Sequence, residues 1–237
     1  MKNILLTICA RAKSKGVKGK NTRLLLGKPL IYYTIKQAIE WGNATRIVVS
    51  TDSIEIAKIA EEYGAEVPFL RPKKLALDTS AKLPVIRHAL LKSEKIYNEC
   101  YEIVVDLDVT APIRQIKDLD NCLKIFLKYK PKALFSVVSA NKNPYFNMVE
   151  EKDDGRIIIC KESTHQIVRR QDAPKVYDMN ASIYFFDREY ICDPTNITAI
   201  SDNSRIYVMD EIASIDIDRE IDFKFVEFLL REGIVTL

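Results

Sequence analysis

Along the first 140 residues, continuous apolar runs alternate with stretches of helical periodicity. Ile4 to Cys9 is apolar almost without interruption, as expected of a strand buried on both faces. Pro29 to Trp41 places Ile31, Thr34, Ile35, Ala38 and Ile39 on one helical face, with Pro29 suited to a helix start. "RIVVST" (Arg46 to Thr51) predicts a second strand. Asp52 or Ser53 then caps the helix "SIEIAKIAEEYG", which Gly64 closes. Ala65 to Phe69 reads as a short third strand. A loop leads into a helix that ends near Asn98, followed by the strand "YEIVVDLD", the amphipathic helix "QIKDLDNCLKIFLKYK" and the strand "ALFSVVSA". Strands separated by helices predict an α/β fold in three layers, a doubly wound, mostly parallel, Rossmann-like sheet. Ligands of such sheets sit beyond the carboxyl ends of the strands.

From Asn141 to about Lys175 this rhythm stops. "NPYFNMVEEKDDGRIIICKEST" reads as a hairpin turning at Asp154-Gly155, which has no place in a βαβ unit. It predicts an arm leaving the sheet. "ASIYFFD" returns as a strand, "RIYVMD" and "ASIDID" as short strands, and Arg219 to Glu232 as a closing helix. No repeat interrupts the chain, so residues 1–237 read as a single domain with an arm inserted at about 141–175.

The net charge of +3 is too mild to imply nucleic acid by bulk electrostatics. Five scattered cysteines, none in a Cys-x-x-Cys pair, suit reduced thiols and a cytoplasmic protein. No apolar stretch reaches the length of a membrane span, and the apolar start is too short for a signal peptide.

Against this balance one segment stands out. Between Arg11 and Lys28 the loop after the first strand carries Arg11, Lys13, Lys15, Lys18, Lys20, Arg23 and Lys28 and no acid. Gly16 and Gly19 let its backbone approach a ligand closely, and Arg11 offers a planar fork for phosphate. A polyphosphate suits such a loop; otherwise it is a solvated basic loop, and neither the Walker nor the dinucleotide fingerprint is present. Asp216 and Asp218, two apart on an expected strand, would point to one face and suit a hard cation shared with substrate phosphates; otherwise Asp218 caps the following helix. Asp106 and Asp108 repeat that spacing at the end of a buried strand, where acids need a cation, a substrate hydroxyl or loop amides as partners. Arg169 and Arg170 could meet a carboxylate, or pair with Asp172 or Asp178 at the surface. His88 and His165 have no nucleophile beside them and take no role.

Together these segments resemble one family. "ARAKSKGVKGKNTRLLLGKPL", "RIVVSTDSIEIAKIAEEYGAEVPFLRP", "LALDTS", "VTAPIR", "RRQDAPKVYDMNASIYFFD" and "SIDIDREIDF" follow, in order, motifs of the CMP-sialic acid synthetases (acylneuraminate cytidylyltransferases), which include bacterial enzymes that activate legionaminic and related nonulosonic acids. The resemblance implies a nucleotidyltransferase fold and a magnesium-dependent reaction. In it the anomeric hydroxyl of an acidic nine-carbon sugar attacks the α-phosphate of CTP, giving CMP-sugar and pyrophosphate.

By motif match, Arg11 and Lys20 hold the triphosphate, with Ala10, Ser14 and Asn21 beside them. Arg71 and Asp78 to Ser80 lie near the nucleotide. Asp216 and Asp218 hold Mg2+. Asp108, Arg170, Asn180 and Tyr184 face the sugar. The resemblance also implies a homodimer, with the arm packed across the two-fold axis. There are three departures from the family pattern: Ala12-Lys13 in the loop, Asp108 where glutamine is usual, and Ala181 where glycine is usual. The last two fall in the half of the site that the resemblance gives to the sugar. They point to a legionaminic-like acid ahead of N-acetylneuraminic acid. The nearest alternative is a nucleotidyltransferase of the same fold that joins a sugar-1-phosphate to UTP or GTP; a different class is a nucleotide-binding module without catalysis.

Overall fold

The computed structural model describes all residues except 1, 164 and 166, the last two lying within the expected arm. In chain order the elements are β1 (Ile4–Cys9), β2 (Leu24–Leu25), β3 (Lys28–Pro29), α1 (Leu30–Trp41), β4 (Arg46–Ser50), α2 (Ile54–Glu62), α3 (Lys82–Tyr97), β5 (Ile103–Leu107), α4 (Ile116–Tyr129), β6 (Ala133–Ser139), β7 (Val149–Glu151), β8 (Ile157–Ile159), β9 (Tyr177–Asp187), α5 (Arg188–Cys192), β10 (Ser204–Val208) and α6 (Glu220–Arg231). Local chemistry sets the boundaries. Pro29 precedes α1 and Gly42, at φ +66°, ends it. The Ser53 hydroxyl, not Asp52, caps α2 by accepting from the Ile56 amide.

Six strands form one sheet in the order β10-β6-β9-β5-β1-β4. β1 lies between parallel β4 and β5, β10 is parallel to β6, and β9 runs antiparallel to both β5 and β6. The sheet is therefore mostly parallel, as the alternation predicts. Alternate residues of the strands feed two cores. Leu6, Ile8, Val105, Leu107 and Phe185 meet α1, α4 and α6, while Leu5, Val104, Phe135 and Phe186 meet α3 and α5.

Four sequence expectations need correction. Ala65 to Phe69 forms no strand, only a bridge from Glu66 to Val48, because Pro68 lacks the amide that would extend the ladder. "ASIDID" is a 3-10 turn (Glu211–Ser214) followed by extended chain held by the Ile217 amide on the Thr110 carbonyl, 2.8 Å. β9 begins at Tyr177, four residues earlier than expected, because Tyr177, Asp178 and Met179 pair along β6. Asp218 does not cap α6; the Asp222 carboxylate does so, accepting from the Arg219 amide at 2.7 Å. The arm's hairpin, β7 with β8, forms its own two-stranded sheet with Gly155 in the turn at φ +80°. Among the described residues no helix is long and apolar enough to cross a membrane.

Candidate active site

A cavity of about 520 Å³ opens beyond the carboxyl ends of β1 and β5. The basic loop forms one wall, the chain from Arg71 to Lys82 a second, and Asp108, Thr110, Asp216 and Asp218 a third. The loop is less open than its sequence suggests. Leu26 and Gly27, at φ +46° and +81°, turn β2 back onto β3 and close it as a small hairpin. The Ser14 hydroxyl donates to the Val17 carbonyl at 2.6 Å, and the Asn21 amide to the Arg11 carbonyl at 2.9 Å. Ser14 and Asn21 thus shape the loop while lining the cavity. Ala10 is buried behind it, its amide on the Ser50 carbonyl.

Three of the seven cations, Arg11, Lys15 and Lys20, line the cavity. Arg23 instead forks onto Glu220, and Lys28 lies over the rings of Tyr32 and Tyr63. The acids missing from the loop arrive from elsewhere in the chain. Asp78 meets Arg11 and Lys15, each at 2.6 Å, and its carboxyl is held below the usual range by the Lys15 hydrogen bond foremost. Lys20, nearly buried, donates to the Ile217 carbonyl at 2.5 Å and to Asp218 Oδ1 at 3.1 Å. Gly16 packs so closely that a Cβ there would lie 1.7 Å from the Asp218 carbonyl oxygen. The loop and the Asp216–Asp218 segment therefore form one unit.

Asp216 and Asp218 share the cavity without lying on a strand. Asp218 is largely exposed beyond its bond to Lys20. Asp216 Oδ1 is buried with no hydrogen-bond partner among the described residues. Burial foremost, with the neighbouring charges of Asp108 and Asp218, pushes the Asp216 carboxyl up, against the partial offset of Lys20.

Arg71 is buried, its guanidinium on the Ser50 hydroxyl and carbonyl, so it props β4 and borders the cavity. Ser80 also lines the cavity, its hydroxyl donating to the Lys74 carbonyl. Asp108 lines it too, but its charge is answered. Oδ2 accepts from Lys82 at 2.7 Å and Oδ1 from the Thr110 amide and hydroxyl. Burial works against the Asp108 charge, but Lys82 overrides it and holds the carboxyl down at about 2.

The other sugar-side residues do not reach this cavity. Asn180 spends its side chain on Ser136 and on the Ala213 carbonyl, pinning β9 to β6. Tyr184 is buried on β9 beside a second cavity of about 230 Å³. Arg170 lies at the base of the arm and donates to the Ala140 carbonyl at 2.5 Å, while Arg169 pairs with Asp172. Sequence reasoning missed Lys82, which bridges Asp108 and Asp106. The available signal was the pair of acids ending a buried strand, which required a cation from somewhere. It also missed Arg114, buried and donating to the carbonyls of Asp108, Ala111 and Ser182, which fixes the chain that carries Asp108 and Thr110. Burial foremost pushes the Arg114 guanidinium down to about 10.

The chain is 46% identical over 97% of its length, and 96% of the relative's, to a protein of Campylobacter jejuni named CMP-N,N'-diacetyllegionaminic acid synthase. It is 44% identical over 98% of its length, and 97% of the relative's, to a Campylobacter coli protein named post-translational flagellin modification protein B. The fold matches a solved CMP:2-keto-3-deoxy-manno-octonic acid synthetase complexed with CTP, at a TM-score of 0.72 and 14% identity, covering 98% of this chain and 99% of that one. A family model described as cytidylyltransferase matches residues 5–226, and the chain belongs to that family of nucleotidyltransferases.

Proposed function

We propose that the protein transfers CMP from CTP to the anomeric hydroxyl of an acidic nine-carbon sugar, releasing pyrophosphate. The acceptor is a diacetyllegionaminic-type acid ahead of N-acetylneuraminic acid. The name of the Campylobacter jejuni relative supports that sugar. One observation carries the reaction type: a single cavity sets Arg11, Lys15 and Lys20 against Asp216 and Asp218, with Lys20 tying the two groups together. Transfer of a phosphoryl-type group needs mainly positioning and charge compensation, and these residues offer both. Arg11 and Lys15, now on Asp78, would turn to the triphosphate, with Lys20 beside them. As the sugar oxygen bonds to the α-phosphorus, the bond from that phosphorus to the bridging oxygen breaks, pyrophosphate departs and the hydroxyl proton passes to solvent.

Asp216 and Asp218 fit a magnesium ion. An orphaned, buried carboxylate oxygen on Asp216, with its carboxyl pushed up by burial and by neighbouring acids, is relieved by a hard cation. Bound there, magnesium would neutralise charge on the phosphate oxygens. The protein is expected to work in the cytoplasm as a homodimer assembled through the arm.

Pyrophosphate release measured with CTP, UTP, GTP and ATP against diacetyllegionaminic and N-acetylneuraminic acids tests the reading. CTP should dominate, chelation should abolish turnover, and Asp216→Ala or Asp218→Ala should each lower it about a hundredfold or more. Near-normal rates in both variants would overturn the metal assignment, and preference for UTP or GTP the nucleotide assignment.

A further inference from the structure

Lys82 is a charged group of the cavity to which the proposed reaction gives no task. It is the first residue of α3, and its ammonium stands over a row built by sheet register. Thr7 on β1 pairs with Asp106 on β5, and Asp106 with Tyr184 on β9. All three side chains face the α3 side of the sheet. The Thr7 hydroxyl donates to Asp106 Oδ1 at 2.7 Å, Lys82 Nζ lies 3.3 Å from Asp106 Oδ2, and the same nitrogen lies 4.5 Å from the centre of the Tyr184 ring. A further contact of 2.7 Å to Asp108 Oδ2 completes the set. Burial alone would lower the Lys82 proton affinity, but Asp108 and Asp106 outweigh it and raise it well above the ordinary lysine value. The group is a fixed ammonium.

We propose that Lys82 is a specificity-determining residue of this site, donating a hydrogen bond to a neutral oxygen of the acceptor sugar, and that Asp108 acts on the sugar through it. Three observations support this. Asp108 Oδ1 already accepts two bonds from Thr110 and Oδ2 one from Lys82, so at most one acceptor position is left for a substrate donor. An ammonium has three N–H donors, and Asp106 and Asp108 take two. The third has no hydrogen-bond partner among the described residues, and about a third of the side chain is exposed. Lys82 also borders both the main cavity and the 230 Å³ cavity lined by Leu83, Tyr184 and Phe186, so the donor stands where the two meet.

The charge balance selects the kind of acceptor. Lys82 and the buried Arg114 together offset Asp106 and Asp108, so the cluster is close to neutral and holds no surplus cation for a carboxylate; its remaining N–H suits a neutral hydroxyl or amide carbonyl oxygen. Pairing such an oxygen with a half-buried donor discriminates by about tenfold or more, because a sugar lacking it leaves the donor unpaired.

The inference rests on the proposed function, and the test keeps the two apart. Steady-state constants for CTP and for two nonulosonic acids, with melting temperature alongside, are measured for the native enzyme, Lys82→Met, Lys82→Arg and Lys82→Met/Asp108→Asn. Lys82→Met should raise the KM for the preferred sugar about tenfold or more, with the CTP KM within about threefold. Lys82→Arg, which keeps the charge but changes its shape, should fold normally and alter the ranking of the two sugars. The double variant removes one of the two acids that lose the ammonium, so it should recover part of the melting temperature without recovering sugar KM. Recovery of both would reduce Lys82 to a counter-ion and overturn the proposal, as would equal losses for CTP and sugar. A native enzyme that releases no pyrophosphate from CTP with any nonulosonic acid would instead overturn the functional reading, and this inference with it.

Discussion

Gly16 shows how much a single position can decide. Its lack of a Cβ lets the basic loop touch the Asp218 backbone, and no methyl group fits in that space. Gly16→Ala should displace the loop from the Asp216–Asp218 segment and cost about a hundredfold in turnover, since misplacing a positioned group by an ångström has that effect. The fold should survive, because the change sits in a loop; kinetics together with a melting curve would show both. Ala181 is the opposite case. It sits at φ +54° beside the bulge where β9 shifts register on β6, a conformation that costs a side-chain-bearing residue about 1–2 kcal/mol. Glycine would relieve that strain while adding freedom to the unfolded chain worth about 0.4–1 kcal/mol. Ala181→Gly should therefore stabilise by about 0.5–1 kcal/mol, a rise of roughly 2 °C in melting temperature. The departure from the family motif was visible in the sequence; the positive φ that gives it meaning was not.

Among the elements, the chain from Arg71 to Lys82 changes the picture most. Its Asp78 pairs with Arg11 and Lys15, so an incoming triphosphate competes with a carboxylate for the same cations. Asp78→Asn should lower the apparent KM for CTP about three- to tenfold at low ionic strength, and the gain should shrink with added salt, as expected for half-exposed charges. A rise in KM would show that Asp78 helps to grip the nucleotide. Most helices and strands of this fold were legible because their apolar spacing is strong, as in α1, β1 and β5. Ala65 to Phe69 and "ASIDID" were misread for a shared reason: a short β-like composition becomes a strand only where a neighbour has free amides and carbonyls to offer. Pro68 ends the first ladder, and Ile217 finds a loop carbonyl instead of a strand.

At the scale of the whole molecule, the arm ends in a small separate hairpin, and it carries exposed apolar side chains. Val149, Ile157 and Val168 are each at least 60% exposed, and Met148 is exposed next to Val149. Such a patch on an element outside the main sheet suits a second copy of the chain. Sedimentation at micromolar concentration should give a dimer, and Val149→Asp with Ile157→Asp should shift it to a monomer. A native monomer at that concentration would refute the assembly.

The sequence by itself determined the alternation of elements, the place of the basic loop after the first strand, and the motif series shared with the family. These follow from local periodicity and from residue types that repeat in order. Only the tertiary structure decided which charges face the cavity. Arg23 and Lys28 turn away, Asp78 and Asp218 come in from distant segments to balance the loop, and Lys82 crosses from α3 to meet Asp106 and Asp108. Ion pairs depend on distances of a few ångströms between residues far apart in the chain, and spacing along a sequence carries no such distances.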